Sequence, residues 1–353
     1  MPKETMTPRE RWTAVLRREK PDRVPMDIWS TDEAWEKLKR HVGCGSNEEV
    51  CARLHIDNPA NLSPRYVGPP VAPDADMWGC RFKDVNYGTG VYRERIYSPL
   101  AQFQSVEEIE ANYTWPTADW FDYSVLPEQA KGLEHRPIRA GGSEPFLQYQ
   151  YMRGDEQAYL DLIVNPDMVE YAMEKMYGFC YESTRRIYEQ VPGKVLISYV
   201  AEDLGGQKDL LFSPEAIRRF FLPHMRRMIA LAHEAGVFAF YHTDGAARRI
   251  IPDLVEIGID VLNPIQWRCP GMERAELKRD FGAKLVFHGG VDNQQTLPFG
   301  TVEDVRREVI ENLSILGAGG GYILGPCHNI QAVSPPENIV AMYETGYEEG
   351  WVG

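Results

Sequence analysis

The chain has 353 residues, of which 43% are hydrophobic, and its formal net charge is −14. This length permits two domains or one large α/β barrel, and the apolar fraction is sufficient for a sizeable core. The acidic balance argues against nucleic acid or an anionic membrane as the main partner, because both require a basic surface. In chain order, the first predicted element is a helix that begins after the Thr7 cap, with Pro8 and Glu10 in its first turn.

The segments that follow predict strands first and then an alternation of strands and helices. A first core strand is predicted at 22–29, and a β-hairpin at 76–100 that turns at Gly88, Thr89 and Gly90. Short apolar runs without polar alternation predict strands buried on both faces. These runs are 137–147, 195–203, 237–245, 260–266, 284–292 and 321–329. Capped segments with helical periodicity are 165–190, 213–236, 246–258, 272–282, 301–317 and 336–350.

Strand–helix alternation of this kind is typical of a parallel sheet. We therefore predict an α/β fold in which residues 1–353 form a single (β/α)8 TIM barrel domain. The N-terminal helix is an extension of this barrel, and the β-hairpin is an insertion. The carboxyl ends of the strands meet at one mouth of a barrel, where the functional side chains should gather.

Cysteine usage and hydropathy indicate the cellular compartment in which the protein is expected. The six cysteines are scattered and form no CxxC pair, which predicts reduced thiols rather than a disulfide framework. The N-terminal segment lacks the apolar region of a secretory signal, and no apolar run approaches the ~18 residues of a membrane span. We therefore expect a cytoplasmic protein without a membrane partner.

Four residues at two strand ends predict a metal site. His242 and Asp244 are two residues apart on one strand, so both side chains face the same side and can share a metal or a proton. Cys327 and His328 follow the last strand and could join them across the mouth as an open zinc site. Because adjacent strand residues alternate in direction, we favour Cys327, the stronger zinc ligand, and keep His328 as a substrate contact. The alternatives are a buried structural cysteine and a hydrogen-bonded histidine.

Other polar residues at the strand ends predict catalysis and substrate binding. Glu202 and Asp203 are adjacent and should face opposite ways, so one of them is expected to enter the site as an acid or base. The alternative is a carboxylate that caps a neighbouring helix. Arginine and lysine do not cluster at the strand ends, so a polycarboxylate substrate lacks obvious partners. The predicted substrate-binding residues are Glu144, Asn263, Gln266, His288, Asp292 and His328.

Four segments, taken in order, resemble the uroporphyrinogen decarboxylase superfamily. They are SYVAEDLGGQ (198–207), YHTDG with LVEIGIDVLNPIQ (241–266), FHGGVDNQQTLPFGTVEDV (287–305) and GGGYILGPCHN with PPENIVAM (319–342). The resemblance implies a (β/α)8 barrel that is either the decarboxylase or a zinc-dependent methyltransferase. Such methyltransferases move methyl groups between small donors, corrinoid proteins and thiol or folate acceptors. The Arg-rich N-terminal segment and the FSDI-like segment of the decarboxylase are absent from this sequence.

The methyltransferases of this superfamily bind zinc through His-x-Cys and a later Cys. Here His242-x-Asp244 matches the first pair, and Cys327 or the adjacent His328 matches the second position. The leading hypothesis is therefore a methyltransferase with zinc as Lewis acid, a small-molecule substrate and a corrinoid protein partner, with a homodimer left open. The alternatives are a metal-free decarboxylase or lyase, in which Asp203 or Asp292 protonates a carbanion, and a non-catalytic protein that binds a corrinoid or a small ligand.

Overall fold

A computed structural model of the protein describes residues 3–86, 88 and 91–352. The strands within these residues are β1 (Ala60–Asn61), β2 (Arg65–Tyr66), β3 (Arg81–Asn86), β4 (Val91–Tyr97), β5 (Phe121–Asp122), β6 (Ile138–Ser143), β7 (Ile197–Ala201), β8 (Phe238–His242), β9 (Val261–Asn263), β10 (Val286–Val291) and β11 (Tyr322–Pro326). The helices are α1 (Pro8–Leu16), α2 (Asp32–Val42), α3 (Asn47–Arg53), α4 (Val106–Asn112), α5 (Leu126–Gln129), α6 (Pro145–Arg153), α7 (Asp155–Val164), α8 (Pro166–Gln190), α9 (Pro214–Phe220), α10 (Leu222–Glu234), α11 (Ile251–Ile257), α12 (Arg274–Phe281), α13 (Thr296–Phe299), α14 (Val302–Ile315) and α15 (Pro336–Glu349), with a 3₁₀ helix at Ala118–Trp120.

Seven of these strands form one parallel sheet in the order β1–β6–β7–β8–β9–β10–β11. Every residue of β10 and β11 is buried, which explains why their apolar runs lack polar alternation. Helices connect β6 through β11 along the chain, as parallel pairing requires. The predicted α/β fold with a parallel sheet is confirmed.

The predicted first core strand is an extended segment beside β11. Met26 and Ser30 form parallel bridges to Leu324 and Ile330. On the other side of the segment, the Asp57 N–H donates to the Met26 carbonyl at 2.7 Å, three residues before β1 begins. Residues 24–30 therefore contact the chain at both edges of the seven-stranded sheet.

Helix α1 covers the amino end of the sheet. The Thr7 side chain accepts from the Glu10 N–H and the Glu10 carboxylate accepts from the Thr7 N–H, so the predicted capping box is present. Trp12 is fully buried and packs among strand residues that include Phe240 and Val286. Burying a side chain of this size stabilises the fold by about 3 kcal/mol and fixes the helix across that end. The carboxyl ends of the strands lie at the opposite face.

Some helices differ from their prediction. The segment 213–236 forms two helices, α9 and α10, because Pro223 lacks the N–H that a continuous helix would use just after the junction at Phe221. The strand predicted at 137–147 ends at Ser143, and Pro145 begins α6, which the sequence analysis missed. Helix α11 begins at Ile251 rather than at residue 246.

The β-hairpin insertion is formed by β3 and β4, which pair antiparallel from Arg81 to Asn86. Of its predicted turn, Thr89 and Gly90 lie outside the described residues. Along the part of the chain that the structure describes, no helix combines the length and the apolar character needed to cross a membrane.

Candidate metal centre

Two histidines and one aspartate converge at the carboxyl ends of the strands. His242 is the last residue of β8, Asp244 follows it by two residues, and His328 follows β11 by two. The Asp244 carboxylate lies 3.9 Å from His242 Nε2 and 3.8 Å from His328 Nε2. Ligand atoms of all three residues lie within 4.8 Å of one another. The structure thus brings His242 and Asp244 to one side, as their spacing predicts.

Cys327 and His328 are adjacent, and only His328 faces this centre. Cys327, which we favoured as the zinc ligand, does not face it. The Cys327 thiol is buried and donates to the Ile265 carbonyl at 3.2 Å. Its N–H donates to the Val291 carbonyl at 2.8 Å and so extends the pairing of β11 with β10. Burial raises the pKa of Cys327 well above its usual range, which disfavours the thiolate form. The strength of a thiolate as a zinc ligand favoured Cys327. The direction of the backbone, however, determines which of the two side chains reaches His242 and Asp244.

His242 is held from behind by a chain of buried hydrogen bonds. Its Nδ1 lies 2.6 Å from Asn263 Oδ1, and Asn263 Nδ2 lies 2.7 Å from His288 Nδ1. His288 Nε2 in turn lies 3.0 Å from Asp27 Oδ2. All four side chains belong to residues that are at most 3% exposed. Asn263 and His288, which we expected to bind substrate, thus lie behind His242, and Asn263 joins the two imidazole rings.

The proton positions in this chain follow from its last member, Asp27. A carboxylate only accepts hydrogen bonds, so His288 Nε2 donates to Asp27. The Asn263 amide nitrogen lies toward His288 Nδ1 and donates to it, and the Asn263 oxygen on the other side accepts from His242 Nδ1–H. The His242 Nε2 lone pair is thereby directed to the open side of the site. This tautomer is the one that a metal ligand requires.

Trp29 packs along the inner side of the same chain. Its Nε1 donates to Asp27 at 3.0 Å, and its ring stacks on His242 with centroids 5.4 Å apart. The Tyr199 ring lies 5.7 Å from His242. No site role was predicted for Asp27 or Trp29. The available signal was their spacing of two in a predicted strand, which places both side chains on one face.

The adjacent carboxylates Glu202 and Asp203 point in opposite directions. Glu202 accepts from the Phe146 N–H at 3.0 Å, in the first turn of α6, and from the Tyr177 hydroxyl at 2.9 Å. Burial raises the pKa of Glu202 well above its usual range, although these two hydrogen bonds oppose the shift. Asp203 is 44% exposed and lies 3.7 Å from His242 Nε2. Glu202 therefore anchors a helix, and Asp203 is the carboxylate that lies beside His242.

Glu144 stands directly before α6, the helix that Glu202 anchors. Burial raises the pKa of Glu144 to about 7, a shift that His242 opposes and that Asp203 and Asp244 increase. A carboxyl group with this pKa gains and loses a proton near neutral pH, as general acid–base catalysis requires. Glu144, which we expected to bind substrate, is thus a partly buried carboxyl group whose pKa is influenced by His242, Asp203 and Asp244.

Gln266 and Asp292 shape loops beside the centre. Gln266 Oε1 accepts from the Gly245 N–H at 2.8 Å, which fixes the turn after Asp244. The Asp292 carboxylate accepts from Arg268 Nε at 2.6 Å and from the Thr296 N–H at 3.1 Å. Both side chains are thus hydrogen-bonded within the protein, and their expected part in substrate binding stays a prediction.

Two imidazoles and one carboxylate match the protein ligands of catalytic zinc sites, which leave a fourth position open. The same donor set also suits Fe(II). Burial raises the pKa of Asp244, and His242 and His328 oppose that shift, which is the electrostatic relation of a carboxylate shared by two nitrogen ligands. The fixed His242 tautomer supplies an independent reason that these residues fit a metal ion.

Comparisons with known proteins show which sequences and structures this chain is similar to. Residues 131–348 match the family model described as Uroporphyrinogen decarboxylase (URO-D). The chain is 26% identical to the uroporphyrinogen decarboxylase of Legionella pneumophila over 95% of each chain. It is 28% identical to that of Neisseria gonorrhoeae over 39% of this chain and 38% of the relative. A solved methyltransferase from Methanosarcina mazei has a TM-score of 0.70 at 18% identity, covering 97% of this chain and 99% of that protein, which establishes a shared fold.

Proposed function

Since the chain belongs to the uroporphyrinogen decarboxylase family, we propose that it is a metal-dependent, methyltransferase-like enzyme of that family. The observation that carries the proposal is the group of His242, Asp244 and His328, toward which the His242 Nε2 lone pair is held. The fold shared with the solved methyltransferase is compatible with this assignment. The small-molecule substrate and a corrinoid protein that docks over the mouth as methyl carrier are parts of the proposal.

In this proposal His242, Asp244 and His328 hold zinc. When bound, zinc supplies Lewis acidity to an oxygen or sulfur atom of the substrate. Asp203 and Glu144 are the groups that move protons, because Asp203 lies beside His242 and Glu144 has a pKa near 7. Glu202 acts on this site only through the helix that follows Glu144.

We further propose that residues 24–30 close the sheet into a (β/α)8 barrel and that residues 1–353 form one domain. The bridges of this segment to the chain at β11, and its hydrogen bond from Asp57 before β1, support the closure. A closed barrel with α1 across its amino end leaves one mouth for substrate, as in other barrels of this type.

Uroporphyrinogen decarboxylation is the second candidate. The family match and the full-length Legionella relative that carries this name favour it. The charge of the mouth argues against it, because Glu144, Asp203 and Asp244 lie together there and would repel a substrate with many carboxylates. We therefore rank it below the methyltransferase-like function.

Metal binding tests the proposal. Tag-free protein is expected to hold about one equivalent of zinc, consistent with one three-ligand site. The substitution His328→Ala should weaken zinc binding by more than about 100-fold, because losing a ligand costs more than losing its hydrogen-bond partner. Cys327→Ala and the surface control His233→Ala should bind zinc as the parent does. Less than about a tenth of an equivalent, with no uptake on titration, would contradict the proposal.

The reaction is tested by two assays run with and without a strong chelator. Methylcobalamin formation from a methyl donor and reduced cobalamin, followed by absorbance, should occur and should stop when the chelator is added. Release of CO2 from uroporphyrinogen that survives the chelator would instead support the decarboxylase. A shift of the cobalamin spectrum without turnover of any methyl donor would indicate a binding protein.

A further inference from the structure

A cavity of about 330 Å³ lies among β6, β7 and α8, and its lining includes an aromatic wall formed by Trp78, Phe179 and Tyr199. The ring centroids of Trp78 and Phe179 lie 5.4 Å apart and the rings are nearly perpendicular, so the wall turns a corner between them. The face of an aromatic ring carries partial negative charge and attracts a cation. The aromatic wall therefore favours a positively charged group over an uncharged group of the same shape.

Glu144 is the acidic residue of the described lining, and it is partly buried. Among the described residues its carboxylate has no hydrogen-bond partner and no ion-pair partner. Of the described groups that act on the pKa of Glu144, His242 alone favours the ionised form, and a neutral imidazole does not supply this interaction. The Glu144 carboxylate is thus a negative group without a permanent counter-charge.

The surroundings of Glu144 are negative. Burial raises the pKa of Glu144 to about 7, and repulsion from Asp203 and Asp244 adds to this shift. Carboxylates that disfavour a further negative charge attract a positive one for the same reason. The Tyr199 ring lies 5.7 Å from the His242 ring and so joins the cavity to this negative region.

Basic side chains of the protein do not neutralise the cavity. Among the described residues that line it, none is arginine or lysine. Burial and then Glu144 raise the pKa of Tyr199, whereas Arg139 lowers it. The Arg139 guanidinium, however, donates to Asn61 Oδ1 at 2.7 Å, and Arg139 is not part of the lining. An anionic ligand would therefore meet Glu144 without a compensating charge.

The hydroxyl groups of the lining favour a cation that needs few hydrogen-bond acceptors. Thr184 accepts from the Gly142 N–H at 3.0 Å, and Ser183 accepts from the Tyr123 hydroxyl at 2.9 Å. A primary ammonium group needs an acceptor for each of its N–H bonds. A methylated ammonium group needs none and packs its methyl groups on aromatic rings.

We propose that this cavity binds a small organic cation with a methylated ammonium group, which lies between the Glu144 carboxylate and the aromatic wall. An apolar cavity of about 150 Å³ accommodates benzene, so 330 Å³ accommodates a trimethylammonium group with a short chain. The claim that this cation is the substrate rests on the proposed function, while its binding does not.

Calorimetric titration with three ligands of one shape tests this inference. The probes are choline, its uncharged carbon isostere neohexyl alcohol, and the anion of tert-butylacetic acid. The titrations are run with a chelator at pH 8, where most Glu144 is ionised because its pKa is about 7. Choline should bind one site at least about tenfold more tightly than neohexyl alcohol, and the anion should bind most weakly. Equal binding of choline and the alcohol, or tighter binding of the anion, would overturn the proposal.

Variants locate the binding site and separate charge from shape. Glu144→Gln should weaken choline binding at least about tenfold, and Phe179→Leu about fivefold, whereas neither should change the binding of neohexyl alcohol more than about twofold. The controls Glu303→Gln and Phe299→Leu should bind choline as the parent does, because both residues are exposed and neither lines the cavity. Unchanged choline binding in both cavity variants, with unfolding midpoints that show folded protein, would refute the location.

Titrations with and without zinc separate this inference from the proposed function. Choline binding by protein that takes up no zinc would contradict the metal centre and support the cavity assignment. Zinc uptake by protein that does not bind choline would overturn the cavity assignment and leave the metal centre supported.

Discussion

Two buried polar networks lie at opposite ends of the sheet, and their completeness differs. At the amino end, Asp57 lies between two buried guanidinium groups, with Oδ1 2.5 Å from Arg11 and Oδ2 2.8 Å from Arg23. Asp57 also accepts from the Met26 N–H, and Arg11 pairs a second time with Asp22 at 2.7 Å. The charges of this network are matched within the protein, so its effect is on folding.

At the carboxyl end, the chain from Asp27 through His288 and Asn263 is complete only as far as His242. Beyond it, His242 Nε2 faces Asp244 at 3.9 Å, which is longer than a hydrogen bond. A closed network stabilises the fold, whereas a network that is closed on one side and open on the other directs a lone pair toward a ligand.

The largest expected effect is on the closed network. Asp57→Asn leaves Arg11 and Arg23 buried without their shared counter-charge, which should lower the free energy of unfolding by about 3–5 kcal/mol. Urea denaturation measures this loss. Zinc affinity of the folded fraction should change little, because this network meets the other one only beside Asp27, where Asp57 accepts from the Met26 N–H.

The exposed pair Lys83–Glu94 on the hairpin is the control, with both side chains about half exposed. Glu94→Gln should change the free energy of unfolding by less than about 1 kcal/mol, since solvent screens the pair. An Asp57→Asn variant as stable as Glu94→Gln would show that the amino-end network is not the stabilising one.

The next effect is on the open network. Asn263→Ala breaks the hydrogen bonds that fix the His242 tautomer and should weaken zinc binding about 10- to 100-fold. Zinc titration of the parent and variant measures the change. Asn338→Ala is the matched control, because Asn338 is 2% exposed, against 1% for Asn263, and donates to two carbonyl groups away from the site. Equal zinc affinities in Asn263→Ala and Asn338→Ala would remove the positioning role of Asn263.

The open network also shows what the sequence could reveal. Parallel strands place their carboxyl ends together, so the location of His242, Asp244 and Asp203 followed from the pattern of apolar runs. The spacing of two between His242 and Asp244 correctly placed both on one side. These features are local or depend only on fold class, and a single sequence carries them.

Other features depend on contacts between distant parts of the chain. Asp27 reaches His288 across 261 residues because the segment 24–30 lies beside β11, a register that no local pattern states. The choice between Cys327 and His328 depended on how far the pairing of β11 continues, and it continues through the Cys327 N–H. Ligand strength was therefore a poor guide to which residue faces the site.

A smaller effect concerns the pH dependence of Glu144, which interacts electrostatically with His242 at the end of the open network. Burial raises the pKa of Glu144 from 4.5 in the unfolded chain to about 7, so folding opposes its ionisation and the stability it contributes is lost as pH rises from 4.5 to 7. Glu144→Gln should remove this loss and raise the free energy of unfolding at pH 8 by about 2 kcal/mol. Urea denaturation at pH 5 and pH 8 with a chelator present measures the change. A variant no more stable than the parent at pH 8 would contradict it.

The smallest effect has the opposite sign and belongs to the closed network. Burial alone would raise the pKa of Asp22, but Arg11 and the N–H groups of Thr5 and Met6 lower it from 3.8 to about 2. Asp22 therefore contributes stability that is fully present above pH 4 and is lost as pH falls toward 2. Asp22→Asn should lower the free energy of unfolding by about 1 kcal/mol at pH 7, and this difference from the parent should shrink between pH 4 and pH 3. A difference that stays constant with pH would mean that Asp22 acts through packing rather than through its charge, because only an ionising group can link stability to proton concentration.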